Sequence, residues 1–295
     1  MAAAAVRVAR WRTLVGLWGS RRPDASAWPV PLAVLLAGLI LIGPPALGYG
    51  STDPYALRLA VPFALLLLAT LILPGWGRLR VLAGVGTILT VPASVWLLVS
   101  SQSLIQSPDW LVAVLPPVAY LALTAVGAWL WHKTSPATAP RVRMPQPSWR
   151  VVAVAVAGGA VTWIGAWLVP AAWLGRWAYQ PPASSLAGWI AVVAGCAALA
   201  GAQELAFRGV LLGVLERHCP TAAVPLQAGI FGLAHLAAPG ATSGVGPLVP
   251  FVLVVVVLGL IWGWIARRTN SLVPSFVMHT VALVFLLMFV VGVAS

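Results

Sequence analysis

From Val30 onward the chain alternates long apolar runs with short breaks of Pro, Gly and charged residues. The runs have the length a bilayer asks of a helix, ~20 residues. They fall at about 30–49, 56–73, 81–99, 110–131, 151–173, 186–213, 222–238, 247–267 and 273–293, which predicts an all-α, polytopic transmembrane bundle of about nine spans. Trp28, Trp76, Trp110, Trp131, Trp149 and Trp189 stand near the predicted ends, where an interfacial aromatic belt would hold them.

The breaks divide the chain further. Residues 1–29 carry Arg7, Arg10, Arg12, Arg21 and Arg22 among Trp11, Leu14 and Trp18, a pattern that fits an interfacial amphipathic helix or a basic tail. Residues 30–133 make a four-span accessory region whose span interiors hold no ionisable residue except Arg58 near one end. Residues 134–150 form a basic, Pro-rich linker with Pro136, Pro140, Pro145 and Pro147. Residues 151–295 make a five-span core.

Basic residues occupy every second segment between spans: the N-terminal arginines, Arg78 and Arg80, then Lys133 to Arg150, Arg217, and Arg267 with Arg268. The positive-inside rule therefore places the N-terminus in the cytoplasm and the C-terminus outside, in a multi-pass protein of a membrane that we expect to be a bacterial cell membrane.

Composition agrees with this class. Hydrophobic residues make up 61% of the chain and charged residues 7%, with a mean hydropathy of +0.99. The net charge of +12 would suit nucleic acid, but the arginines lie in short clusters between apolar runs and form no continuous basic face, so no nucleic-acid partner is expected. Membrane lipid is the expected surrounding. Cys196 lies in an apolar run and Cys219 at a helix end, and no disulfide between them is expected.

Against this background one stretch stands out, Gln203-Glu204-Leu205-Ala206-Phe207-Arg208. Glu204 and Arg208 are i,i+4 neighbours in the favourable order of acid before base, so they can pair. An unpaired charge near the bilayer centre costs roughly 3 kcal/mol, so the pair serves either to stabilise the bundle or to form a functional site. His235, in the run from Pro225 to Ala238, and His279, in the last span, are the other intramembrane ionisable groups of this half. Counting 1.5 Å per residue from the cytoplasmic ends puts Glu204 ~14 Å deep, His279 ~10 Å and His235 ~15–20 Å, compatible with one cavity.

Two histidines and a glutamate could hold catalytic zinc, yet the two-histidine pattern H-E-x-x-H is missing, and no cofactor is expected. Metal-free acid–base chemistry on a water is the other option.

The order Gln203-Glu204-x-x-Phe207-Arg208-Gly209, then Phe231-x-x-x-His235, then Ser271-Leu272-x-Pro274 with His279, resembles the CPBP family of intramembrane proteases, the CAAX-processing and bacteriocin-processing group. The resemblance covers about residues 186–293. It implies a helical membrane protease cleaving peptide or protein substrates near the cytoplasmic side of the bilayer, in eukaryotic members often close to a prenylated cysteine. It implies catalytic roles for positions 203, 204, 235 and 279, supported by Phe207, Arg208, Phe231 and position 283.

Two positions depart from the family pattern. The first glutamate of E-E-x-x-x-R, which works with the F-x-x-x-H histidine to activate water, is here Gln203. The asparagine of H-x-x-x-N, which helps the histidine stabilise the oxyanion, is here Leu283. An amide can position a water but cannot deprotonate it, and a leucine donates nothing. Glu204, as the partner of Arg208, is weakly basic, which leaves His235 as the better base. Three functions stay open at this point: a CPBP-type endopeptidase with weakened catalysis, a non-catalytic relative that binds peptide or lipidated substrates, and a small-molecule transporter using the same polar groups.

Overall fold

The computed structural model describes Val81, 84–93, 109–134, 142, 148–167, 185–235 and 245–292. The expected basic N-terminal segment and the spans at 30–49 and 56–73 lie outside these residues. Every regular element among the described residues is helical. In chain order they are α1 (Gly84–Ala93), α2 (Asp109–Thr134), α3 (Trp149–Trp167), α4 (Leu186–Gln203), a π-helical segment (Glu204–Leu211), α5 (Leu212–His218), α6 (Ala223–Ala234), α7 (Val245–Thr269) and α8 (Val273–Gly292).

Three of these stretches are long and apolar enough to cross a membrane: Val114–Lys133, Leu186–His218 and Val252–Thr269. Together with the shorter apolar helices Trp149–Gly159, Ala223–Ala234 and Val273–Val284 they make this an integral membrane protein. Among the described residues the helices overlap the apolar runs from 81 onward, but three of them reach the length and hydropathy of a membrane span, short of the expected nine or so.

The longest rod, Leu186–His218, is 33 residues and carries the site. Ser185 caps its start in extended conformation, its Oγ accepting from the Gly188 N–H at 3.1 Å, which satisfies one of the otherwise orphaned amides of a helix N-terminus. The rod ends at Cys219, whose N–H donates to Leu215 O. The turn through Pro220 and Thr221 then starts α6. Midway along the rod, the Leu212 N–H reaches back five residues to Phe207 O, the signature of a π turn. Glu204 and Arg208, four residues apart as the sequence has them, sit in this widened, π-helical stretch.

Around this rod α2 packs along α4, α3 packs against α8, α6 packs against α7, and α8 crosses α4. The α3–α8 contact is close because Gly159 has no side chain; a Cβ there would sit 2.9 Å from the Met278 carbonyl oxygen. One apolar cluster joins Val85, Ile88 and Leu89 of α1, Trp131 of α2, Leu211 and Leu215 of the rod, Phe231 of α6, Trp262 of α7 and Met278 of α8. The cluster draws residues from both sides of the 134–150 linker. Trp131 departs from the expected aromatic belt: it is buried, its ring filling the space over Gly84, whereas Trp149 stands exposed as expected.

At the end of the bundle that the charge pattern assigns to the cytoplasm, Arg267 holds α7 to the α5–α6 turn. Its Nη1 donates to Pro220 O at 2.9 Å and its Nε lies 3.5 Å from Glu216 Oε1. The α7–α8 connection is equally defined. Asn270 takes the left-handed conformation, φ 54, that ends a helix, and the Ser271 N–H returns to Ala266 O. Ser271 Oγ then accepts from the Val273 N–H, with Pro274 in the first turn of α8, where its missing N–H costs nothing. This turn sets the rotation of α8 and so the direction of His279.

Candidate active site

Glu204, Arg208 and His279 come together in the interior, with side chains almost wholly removed from the surface. Glu204 Oε1 is the hub. Arg208 Nη1 lies 3.0 Å from it, an ion-pair contact off the line of the N–H bonds, and His279 Nδ1 donates to it at 2.9 Å. A carboxylate beside a guanidinium accepts only, so the shared proton resides on the ring nitrogen. The expected pair therefore exists, and the last span supplies a third member.

Aromatic rings enclose these charges. The Arg208 guanidinium carbon lies 4.0 Å from the centre of the Phe231 ring and 5.5 Å from that of Trp262. Phe231 meets Phe207 edge-on at 5.1 Å, His235 at 4.5 Å and His279 at 5.9 Å. Trp262 stacks on the His279 imidazole with ring centres 4.3 Å apart and planes 28° apart. Cation–π contacts in a desolvated setting contribute about 2 kcal/mol. The box thus offsets part of the cost of burying Arg208.

His235 closes α6, its Nδ1 donating to Phe231 O at 2.7 Å. Its ring meets that of Phe231 edge-on, which links it to the cluster. Gln203 ends α4 next to Glu204 and is half-buried; Leu283 lies one turn beyond His279 and is also half-buried. Among the described residues no three His, Cys, Asp or Glu side chains are grouped to hold a metal.

Several buried polar atoms near the cluster have no hydrogen bond among the described residues: Glu204 Oε2, Arg208 Nε and Nη2, Trp262 Nε1, and both amide atoms of Gln227. Trp262 and Gln227 were not singled out in the sequence. The available signals were a tryptophan in mid-span, away from the interfaces, and a glutamine four and eight residues before Phe231 and His235, on their helix face.

Comparison with known proteins bears on this half of the chain. Residues 183–285 match the family model described as type II CAAX prenyl endopeptidase Rce1-like. The C-terminal region is similar to this family over those residues. The match agrees with the resemblance to the CPBP family and includes every motif residue from Gln203 to Leu283, while the first 182 residues lie outside it. No curated protein and no solved structure matches the chain. Within the matched residues Glu204 and Arg208 both lie in the π-helical stretch, a feature that recurs at functional sites.

Proposed function

We propose that the chain is an intramembrane endopeptidase of the CPBP type, cleaving peptide bonds close to the cytoplasmic face of the bilayer. The observation that carries this reading is the buried Glu204–Arg208–His279 cluster, with Phe231 and His235 beside it, inside the Rce1-like match. Its substrates are peptides or proteins held at the membrane, with a prenylated cysteine near the C-terminus as the first class to test, after the family description.

The chemistry is metal-free hydrolysis. In the arrangement the resemblance implies, the residue at 203 and His235 activate a water, and His279 with the residue at 283 receives the developing oxyanion. Gln203 cannot take a proton, so the carboxylate share of that step is missing and His235 remains at it. Leu283 offers no donor. A missing general base costs typically 10²–10⁴ in rate and a missing oxyanion donor roughly 10²–10³, against total accelerations of 10⁶–10¹⁷. Slow turnover is what remains.

The same two residues favour one second reading, a relative that binds peptide or lipidated substrates without cutting them. The test is incubation of the purified protein in liposomes with membrane-proximal peptides, with and without an S-prenyl cysteine, followed by mass spectrometry. Slow cleavage that disappears in His235→Ala supports the protease. Retention of the peptide without any product supports the binding relative. Proton-dependent uptake of a small molecule into the same liposomes would instead make the polar groups a transport path.

A further inference from the structure

The hydrogen bond between His279 and Glu204 fixes more than position. Glu204 Oε1 faces both Arg208 Nη1 at 3.0 Å and His279 Nδ1 at 2.9 Å, so the carboxylate is ionised and the imidazole proton in this contact belongs to Nδ1. A doubly protonated ring would set two cations against one carboxylate inside an apolar cluster. A neutral ring leaves the three side chains with no net charge, which burial favours. With its single proton on Nδ1, the ring has a lone pair at Nε2. A lone pair cannot donate to an oxyanion. It can accept a proton from water.

We infer that His279 is a proton acceptor in this chain, held by Glu204 as the carboxylate member of a carboxylate–imidazole dyad, with Trp262 as a positioning residue. The inference rests on the protease reading and gives His279 a different part from the oxyanion donor that the family resemblance implies. Glu204 holds the ring in one tautomer and stabilises the imidazolium once it forms, as a carboxylate does for the histidine of a serine-protease triad. The Trp262 ring, 4.3 Å away and nearly parallel, restricts rotation about the remaining side-chain torsion. The dyad supplies the acid–base function that Gln203 cannot.

The step balances without a co-reactant. A water O–H bond breaks and its proton passes to Nε2, while the oxygen forms a bond to the scissile carbonyl carbon. The carbonyl electron pair moves to its oxygen. When that pair returns, the C–N bond breaks and Nε2–H delivers the proton to the departing amine, leaving a carboxyl terminus and regenerating the lone pair.

The ring state is measurable without turnover. In protein carrying ¹⁵N-labelled histidine in detergent micelles at neutral pH, the spectrum contains His132, His218, His235 and His279, and the His279→Gln variant assigns the last. We expect a protonated Nδ1 and an unprotonated Nε2; a proton on Nε2 overturns the inference whether or not any peptide is cut. His279→Gln is also the kinetic test, because its amide nitrogen can still donate near the Nε2 position but accepts no proton. Expected is a fall in kcat of about 10²–10⁴ with KM unchanged, and cleavage at the parental rate overturns the inference while leaving the protease reading intact. Trp262→Phe, which keeps a stacking ring, should retain most of the kcat that Trp262→Ala loses; equal losses in the two remove the positioning role. A parent that cleaves no membrane-proximal peptide counts against the protease reading itself, and the ring spectrum still decides which nitrogen carries the proton.

Discussion

Arg208 places its guanidinium carbon 4.0 Å above the Phe231 ring while its Nη1 stands 3.0 Å from Glu204 Oε1, so one buried cation is held between an aromatic face and a carboxylate. Removing either charge strands the other. Losing one partner of a buried pair costs about 3–5 kcal/mol, more than the net worth of the pair, because desolvation is no longer offset. Glu204→Ala and Arg208→Ala should each lower the melting temperature in detergent strongly, and the double variant by less than the sum of the two. Single variants that melt like the parent would show that the pair contributes nothing.

The aromatic face carries its own share. Phe231 meets four neighbouring rings as well as Arg208, and such ring pairs contribute about 0.5–1.5 kcal/mol each beyond buried area. Phe231→Leu keeps most of the volume and loses the π face, so a cost of roughly 2–4 kcal/mol is expected. A double-mutant cycle with Arg208→Met should isolate a coupling of about 2 kcal/mol in denaturant titrations. A coupling indistinguishable from zero would assign the whole loss to packing.

Two glycines should respond in opposite directions. A Cβ at Gly259 on α7 would meet the Ala228 Cα at 3.1 Å and Phe231 Cδ1 at 3.2 Å, so Gly259→Val forces α6 and α7 apart. Overpacking of this kind costs about 1–3 kcal/mol, and here it also disturbs the ring beneath Arg208. A Cβ at Gly229 on α6 meets nothing within 4 Å, so Gly229→Ala should stabilise the helix by up to about 1 kcal/mol. Thermal melts of the two variants test both signs, and equal shifts would contradict the α6–α7 packing described above.

Much of this was legible in the sequence, for identifiable reasons. Apolar length places the helices, and the scarcity of charge inside them makes Glu204, Arg208, His235 and His279 conspicuous. The i,i+4 spacing gives the ion pair. What spacing does not give is helix rotation. In a helix that is apolar on nearly all sides, periodicity selects no face, so neither the Trp262–His279 stack nor the choice of His279 over His235 as the partner of Glu204 can be read ahead. The burial of Trp131 follows from a glycine on another helix, Gly84. The π turn is a register change within a helix, and the composition of Glu204–Leu211 does not announce it.

The alternation of basic loops also makes a topological prediction. Reporter fusions after residues 50, 140, 178 and 220 should read out, in, out, in. The first three positions lie outside the described residues, while 220 sits at the Arg267-bound turn. A cytoplasmic signal at 178 would invert the rod that carries Glu204 and move the site to the other leaflet.

The sharpest test concerns the two departures from the family pattern. Gln203 ends α4 beside Glu204, and Leu283 follows His279 by one turn, both half-buried, so neither replacement introduces a side chain larger than the one it removes. Gln203→Glu supplies a carboxylate that can accept a proton together with His235, with a gain of about 10²–10⁴. Leu283→Asn supplies an amide donor at the oxyanion position, with a gain of about 10²–10³. The parent should cleave a membrane-proximal peptide slowly or below detection, and the double variant measurably. His235→Ala in the double variant should abolish the gain, because the restored carboxylate works through that histidine. Brisk cleavage by the parent that survives His235→Ala would place the chemistry on other residues. A double variant that folds, binds peptide and stays inert would favour the binding relative, since both missing groups would then be present without turnover.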